Sequence, residues 1–446
     1  MTLSSHLPDV RRDTAVVVGL VGGAEFVNHT YLVLFPPILG ILAAEFDVSL
    51  YMLGIAMGVQ GFTNTAFQLP WGYLSDNYDR RLTLGLSLGL ATGSVFLIAV
   101  APTFELLLAG QALLGVGIAG HHPAHFPILA AATPEHHRAR AFSVRAFLGN
   151  LGFAAPPVVV TAIIAFPGLT WRHAVGLIGA VGAVYALLVM VAFYRYVDPA
   201  VTAPESDDGD TDEDVTAHSN TDADADSDES ASALASLLGG VRREIRAITG
   251  SPAILALAVL ALVVSTASWG ITSYAVVLLQ DGYGLGLDTA NLTLSAMFAV
   301  GAVMVLVGGD LADRFAPGPV IVGAYVTVFV FVAAVATMTL PPLAAVACLL
   351  VVGGVRSLAG PPRSKLADLL SARADLGRNF AIITVGIMTG SSVAPPLFGA
   401  LIEGRGLGVT FSAIAAIVVL AVFVTLFVLH RHGEESEAAA GAVEAE

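Results

Sequence analysis

Between residues 15 and 430 the chain is a succession of apolar stretches, each roughly 20 residues or longer, parted by short polar interruptions. This constrains the fold more than any motif does. About 20 apolar residues are what an α-helix needs to cross the hydrocarbon of a bilayer. Within hydrocarbon only helices and closed barrels satisfy their own backbone. The stretches lie at 15–37, 51–74, 82–101, 105–131, 141–165, 172–196, 252–279, 289–311, 319–340, 343–369, 380–402 and 409–430, here spans 1 to 12. "APTFE", "FPGLTW", "QDGYGLGLD" and "TLPP" read as short loops between them. The sequence predicts an all-α membrane protein with 12 transmembrane helices.

Composition agrees once the acids are located. Only 12% of residues are charged, about half the usual 25% of soluble domains, and mean hydropathy is +0.80. The net charge of −15 looks wrong for a chain among anionic lipids, but residues 198–233 hold 13 acids and no base, and 434–446 hold five. That leaves 17 acids against 20 basic residues in the rest of the chain. Lys365 is the single lysine. An acid-rich, lysine-poor solvated surface suits a salt-filled cytoplasm and points to a halophile; a plain disordered acidic linker reads the same way. The one cysteine, Cys348, excludes an intrachain disulfide. No cleavable signal is expected at the polar start "MTLSSHLPDVRRDT".

Seventeen of the 20 basic residues fall on one side of the spans, with Arg172 and Arg405 opposite and Arg356 inside. By the positive-inside rule both termini and the acidic linker are cytoplasmic, in a multi-pass protein of the cell membrane.

The chain also repeats. "GYLSDNYDRR" (72–81) after span 2 is echoed by "GDLADRFAPG" (309–318) after span 8, 237 residues on. "AAPP" (154–157) in span 5 is echoed by "VAPP" (393–396) in span 11, 239 residues on. The expected organisation is a cytoplasmic N-terminus (1–14), a six-helix bundle (15–196) and an acidic disordered linker (197–233). An amphipathic interfacial helix (234–250), a second six-helix bundle (251–431) and an acidic disordered tail (432–446) complete it. Two pseudo-symmetric bundles around a cavity are a recurrent transporter plan.

"GYLSDNYDRRL" resembles the loop 2–3 signature of the major facilitator superfamily, Gly-x-Leu-x-Asp-Arg-x-Gly-Arg-Arg, at Gly72, Leu74, Asp76, Arg80 and Arg81. Asn77 and Asp79 replace its basic residue and glycine; Gly309, Leu311, Asp313 and Arg314 echo it in the second half. "FVNHTYLVLFPPIL", "HPAHFP" and "GNLGFAAPP" are further similar to the fosmidomycin-resistance-like exporters, at Asn28, His122-Pro123, Gly149, Asn150, Gly152 and Pro157. The resemblance implies the major facilitator fold, with spans 1, 4, 7 and 10 lining the cavity. It also implies a cytoplasmic gate at Gly72, Asp76, Arg80, Arg81, Asp313 and Arg314, with Asp76 bonded to neighbouring helix ends in the outward-facing state. Simple helix capping by Asp76 is the plainer alternative. Gln111 stands where many exporters of the superfamily carry an arginine.

An ionisable group at bilayer depth costs about 2.5–3.5 kcal/mol and usually serves function. Glu25 falls near the middle of span 1, Arg356 near the middle of span 10, and His121, His122 and His125 in span 4. Glu25 and His29, four apart, share a helix face next to Asn28 and read as a proton-exchanging pair or as a structural cluster. Arg356 keeps its charge and needs an anion: Glu25 across the cavity, a substrate carboxylate or phosphonate, or each in turn. In the last case protonating Glu25 frees Arg356 for substrate; a permanent latch between the two is the alternative. In "GHHPAHFP" the prolines Pro123 and Pro127 free the carbonyls of Ala119 and Pro123. The histidines there read as a proton or substrate station, as structure, or least well as a zinc site, since no carboxylate lies within a turn. Asn150 in span 5 and Trp269 and Tyr274 in span 7 complete the expected pathway.

The sequence thus predicts a secondary transporter, not an enzyme. It works with a proton or sodium, in a lipid bilayer, as a monomer, without metal, cofactor or nucleic acid. Proton-coupled export of a small anionic compound is the first reading and uptake of an organic anion such as a carboxylate the second. A membrane metalloenzyme using the three histidines and a transport-like sensor signalling through the linker are the rivals of another class.

Overall fold

The computed structural model describes residues 7–203, 252–370 and 376–444. Most of the acidic linker and the segment at 234–250 lie outside the described residues. Ten described segments are long and apolar enough to cross a membrane. The last of them, Ile382–Arg431, holds two spans, parted at Gly406, whose φ of +82° suits a residue without Cβ. The helix Leu50–Asn77 makes the twelfth. Its mean hydropathy falls short because Gln60, Asn64 and Gln68 stand on it.

Span 4 breaks into Phe104–Ala119 and His121–Ala132 at Gly120. Span 10 breaks into Pro342–Leu358 and Gly360–Leu369 at Ala359. The breaks are 239 residues apart, the spacing of the "AAPP" and "VAPP" echo. Freed acceptors near the first break find donors on neighbouring spans: Ser75 Oγ donates to Pro123 O (2.9 Å), Trp71 Nε1 to Val116 O (2.8 Å) and Ser87 Oγ to Gly117 O (2.7 Å). The prolines are tolerated because spans 2 and 3 re-satisfy the backbone.

The halves meet where span 2 packs on span 11 and span 5 on span 8. At one end the seam is closed. Glu403 Oε1 accepts from Tyr51 N at 2.7 Å, Tyr274 Oη donates to Leu50 O at 3.4 Å, and Ser295 Oγ donates to Ala154 O at 2.8 Å. Towards the other end the described span 2–span 11 hydrogen bonds stop at Gln68, 3.6 Å from Met388 Sδ. Beyond it Leu69 is 84% and Tyr73 66% exposed. Among the described residues the molecule is shut at the end of residues 50 and 403, and no described hydrogen bond joins spans 2 and 11 at the other, open end.

From residue 432 the backbone remains helical to Glu444, where composition predicts a disordered tail. The alanines and glutamates there are strong helix formers and no proline stops the helix that span 12 began.

Candidate functional site

The site is built from spans 1, 4 and 5. Glu25 is 1% exposed, yet both carboxylate oxygens are held: Oε1 accepts from Arg145 Nη1 at 2.7 Å and Oε2 from His121 Nε2 at 2.8 Å. The same Nη1 lies 2.9 Å from His125 Nε2. His125 Nδ1 donates to His121 O at 2.8 Å, which leaves Nε2 as the acceptor of the guanidinium proton. His29 Nε2 stands 3.4 Å from Oε1 and His122 Nδ1 3.9 Å from Oε2. One carboxylate thus has a guanidinium and three imidazoles around it, and Phe126 lies 4.6 Å under the guanidinium carbon.

Span 5 can come this close because Gly149 faces span 1. A Cβ on it would lie 2.7 Å from Glu25 Cγ and 2.8 Å from His29 Nδ1. Arg145, one helical turn earlier, is thereby delivered to Glu25.

His29 and His122 are the two members of this cluster that reach the central cavity. That cavity, 180 Å³, is walled by both halves: Asn28, Gln60, Asn64 and Phe153 on one side, Trp269, Met388 and Ser391 on the other. His29 stacks on Phe153 at 4.2 Å, and Phe153 on Phe298 of span 8 at 5.3 Å. Glu25, His121 and His125 lie behind this wall, so the carboxylate communicates with the cavity through two imidazoles.

Several expected site residues stand elsewhere. Glu25 does not pair with Arg356. The arginine's Nη1 donates to Ser268 O and Thr272 Oγ1 of span 7, both at 3.0 Å, and it lines a different, smaller cavity. Arg145 has the place foreseen for it. Asn150 Nδ2 turns back to Ala146 O of its own helix, and Tyr274 pins span 7 to span 11. At the open end Asp76 and Asp313 are exposed and make no hydrogen bond among the described residues. Asp79, one of the two departures from the loop signature, caps its own helix there: it accepts from Arg81 N at 2.9 Å and holds Arg81 Nε. Gly72 has open space where its Cβ would point. Arg80 is buried, and Arg314 pairs with Asp310 at 2.8 Å on the surface.

Glu25, His122 and His125 offer donor atoms within 4.8 Å of one another, a possible metal set. The guanidinium does not leave room for it, since Nη1 of Arg145 is already in hydrogen-bond contact with two of the three donors. The group fits a cation supplied by the chain better than a metal ion.

Twelve membrane helices in two repeated bundles, a cavity between them and ionisable groups buried beside it define a secondary transporter. The chain belongs to the Major Facilitator Superfamily, whose profile matches residues 21–372 and 258–445, a family of transporters and not of enzymes. It is 24% identical over 417 residues to an uncharacterised MFS-type transporter, YfnC, of Bacillus subtilis, covering 91% of each chain. Partial matches are the inner membrane transport protein YajR of Escherichia coli, 30% identical over 28% of each chain, and its fosmidomycin resistance protein, 24% identical over 33% of this chain and 36% of that one. The chain therefore spans about a third or less of the length of these two relatives. Among solved structures, a bacterial homologue of the human lysosomal transporter Spinster, in an inward-facing, occupied conformation, shares the fold. It superposes with a TM-score of 0.71 at 14% identity over 94% of this chain and 97% of that one.

Proposed function

We propose that this transporter couples a proton to a small organic anion through exchange of partners at Glu25. The supporting observation is the bond of Arg145 to a carboxylate whose other neighbours, His29 and His122, face the cavity. A proton entering from the cavity passes His29 or His122 to Glu25. The neutral acid no longer holds the guanidinium, and Arg145 turns its charge to an anion in the cavity. The bias of basic residues puts the open end at the cytoplasm, so the state described is inward-facing, with both termini cytoplasmic.

The sign of coupling follows from charge. Protonating Glu25 favours anion binding, and by reciprocity the anion favours the proton. Two ligands that help each other bind travel together. With protons driven inward, that is uptake, so the geometry supports proton–anion symport better than export of an anion. Export is the second reading, favoured by the fosmidomycin resistance protein and by a similar thioclapurine efflux transporter of Claviceps purpurea. It requires a cargo that competes with the proton for Glu25, hence a cation or a neutral hydrogen-bond donor.

Purified protein in liposomes with an acidic exterior tests both. Accumulation of a carboxylate or phosphonate inside, lost in Glu25→Gln while exchange of the same compound persists, is the expected result. Expulsion of a preloaded compound under the same gradient would favour export; neither, across an anion panel, would overturn the proposal.

A further inference from the structure

We infer that the C-terminal half holds a halide-sized anion at Arg356, apart from the central cavity. The partners of this guanidinium are all neutral: Ser268 O and Thr272 Oγ1 at 3.0 Å, and the ring of Phe298 with its centre 6.0 Å from the guanidinium carbon. Both hydrogen bonds leave from Nη1, and among the described residues no carboxylate lies within ion-pair distance. An arginine does not shed its proton, and Arg356 is half-buried at membrane depth, where a charge is paired or costly. The described residues supply no counter-charge, so the site calls for a mobile anion.

The place for it is a cavity of about 20 Å³ where spans 7, 9, 10 and 12 meet, lined by Ser268, Ile271, Tyr325, Val328, Arg356 and Ala421. Tyr325 is 3% exposed, and its hydroxyl has no hydrogen-bond partner among the described residues. An arginine without an acidic partner and a tyrosine with an unused hydroxyl line one small void, and together they make a receptor for negative charge. Room for about one water-sized particle admits chloride or bromide and excludes a carboxylate or phosphonate group. A water molecule would fit and satisfy the hydroxyl, but would leave the guanidinium uncompensated. The apolar remainder of the lining favours bromide and chloride over strongly hydrated fluoride.

This site is independent of the coupling proposed at Glu25, and its test keeps the two apart. The full chain, purified in detergent, is melted in sodium chloride or bromide against sodium gluconate at equal ionic strength. The expected result is a saturable, halide-specific rise in Tm that persists in Glu25→Gln. Tyr325→Phe, which removes one oxygen atom, should weaken the halide effect about tenfold, the scale of a hydrogen bond to a charged group. Arg356→Gln should abolish it. Where Arg356→Gln does not fold, crystals grown in bromide decide, with an anomalous peak between Arg356 and Tyr325. No halide-specific shift in the wild type, a shift undiminished in Tyr325→Phe, or a bromide-grown crystal without that peak would each overturn the inference.

Discussion

The two halves share one frame and spend it differently. Both break their fourth helix at corresponding residues, Gly120 and Ala359. In the first half the turn after the break carries His121, His122 and His125, gathered with Arg145 around Glu25. In the second, the turn before the break carries Arg356, bonded to a backbone oxygen and a hydroxyl on span 7. One half therefore has a cation whose partner is a titratable acid of the chain, able to let go on taking a proton. The other has a cation with no acid beside it among the described residues, and so no titratable partner there to switch it off. On this reading coupling belongs to the N-terminal half, and the C-terminal half is its static counterpart.

Removing the switch should have the largest effect. Glu25→Gln keeps the size and one acceptor oxygen but has no charge to lose. Gradient-driven accumulation should fall to the passive level, while Arg356→Gln should leave a measurable gradient response if it folds. Equal loss in both would break the comparison. Next comes Arg145→Ala, which strands a carboxylate that is 1% exposed. Unpairing one member of a buried ion pair costs about 3–5 kcal/mol. Adding Glu25→Gln to it should restore most of the melting temperature and none of the coupling. If the double variant is no more stable than Arg145→Ala, the cost comes from lost packing on Phe126 and not from the stranded charge.

Most of this frame can be read from the residues; what cannot is local. Twelve spans, the repeat, and Glu25 at mid-membrane with His29 on its face follow from hydropathy and helical spacing; that the span 4 histidines close on the same carboxylate does not. By position Arg145 reads as a cytoplasmic anchor, because span 5 begins at about 141 and a cation one turn inside a helix end ordinarily reaches the headgroups. Its real direction was written in Gly149, four residues on: a residue with no side chain on the face that meets span 1 marks the seam, and Arg145 shares that face. Arg356 was assigned to Glu25 by charge alone. Nothing in a sequence says that two polar oxygens on span 7, Ser268 O and Thr272 Oγ1, will reach it first. The gate at Asp76 rests on the family signature and concerns the outward-facing state; in the state described here the departure at Asp79 is what caps span 3.

A smaller effect sharpens the account of the break in span 4. Ser75→Ala leaves Pro123 O without its donor in a buried setting. The expected cost is about 1–3 kcal/mol, read as a lower melting temperature with coupling intact. Loss of coupling at unchanged stability would mean that the break itself takes part in moving the proton.

The smallest effect concerns the seams between the halves, which also differ. Where span 5 meets span 8 the link is neutral, Ser295 Oγ to Ala154 O at 2.8 Å. Where span 2 meets span 11 it is charged: Glu403 of one half accepts from Tyr51 N in the first turn of a helix of the other, at 2.7 Å. Ser49 caps that helix from its own side, accepting from Met52 N at 3.3 Å, so Glu403 adds to a cap and does not replace one. A carboxylate at an exposed helix start is worth about 0.3–1 kcal/mol, and this one is made only while the halves are closed at this end. Glu403→Gln keeps an acceptor oxygen and removes the charge. The closed population should fall by about two- to fivefold, measured as a longer distance between spin labels at the outer ends of spans 2 and 11 in a Cys348→Ser background. Ser295→Ala, at the neutral seam, should shift the same distance less. If both variants shift it equally, the two seams act as one hinge and the charge at residue 403 is only a surface cap; if Glu403→Gln alone does, opening of this end is resisted at span 11.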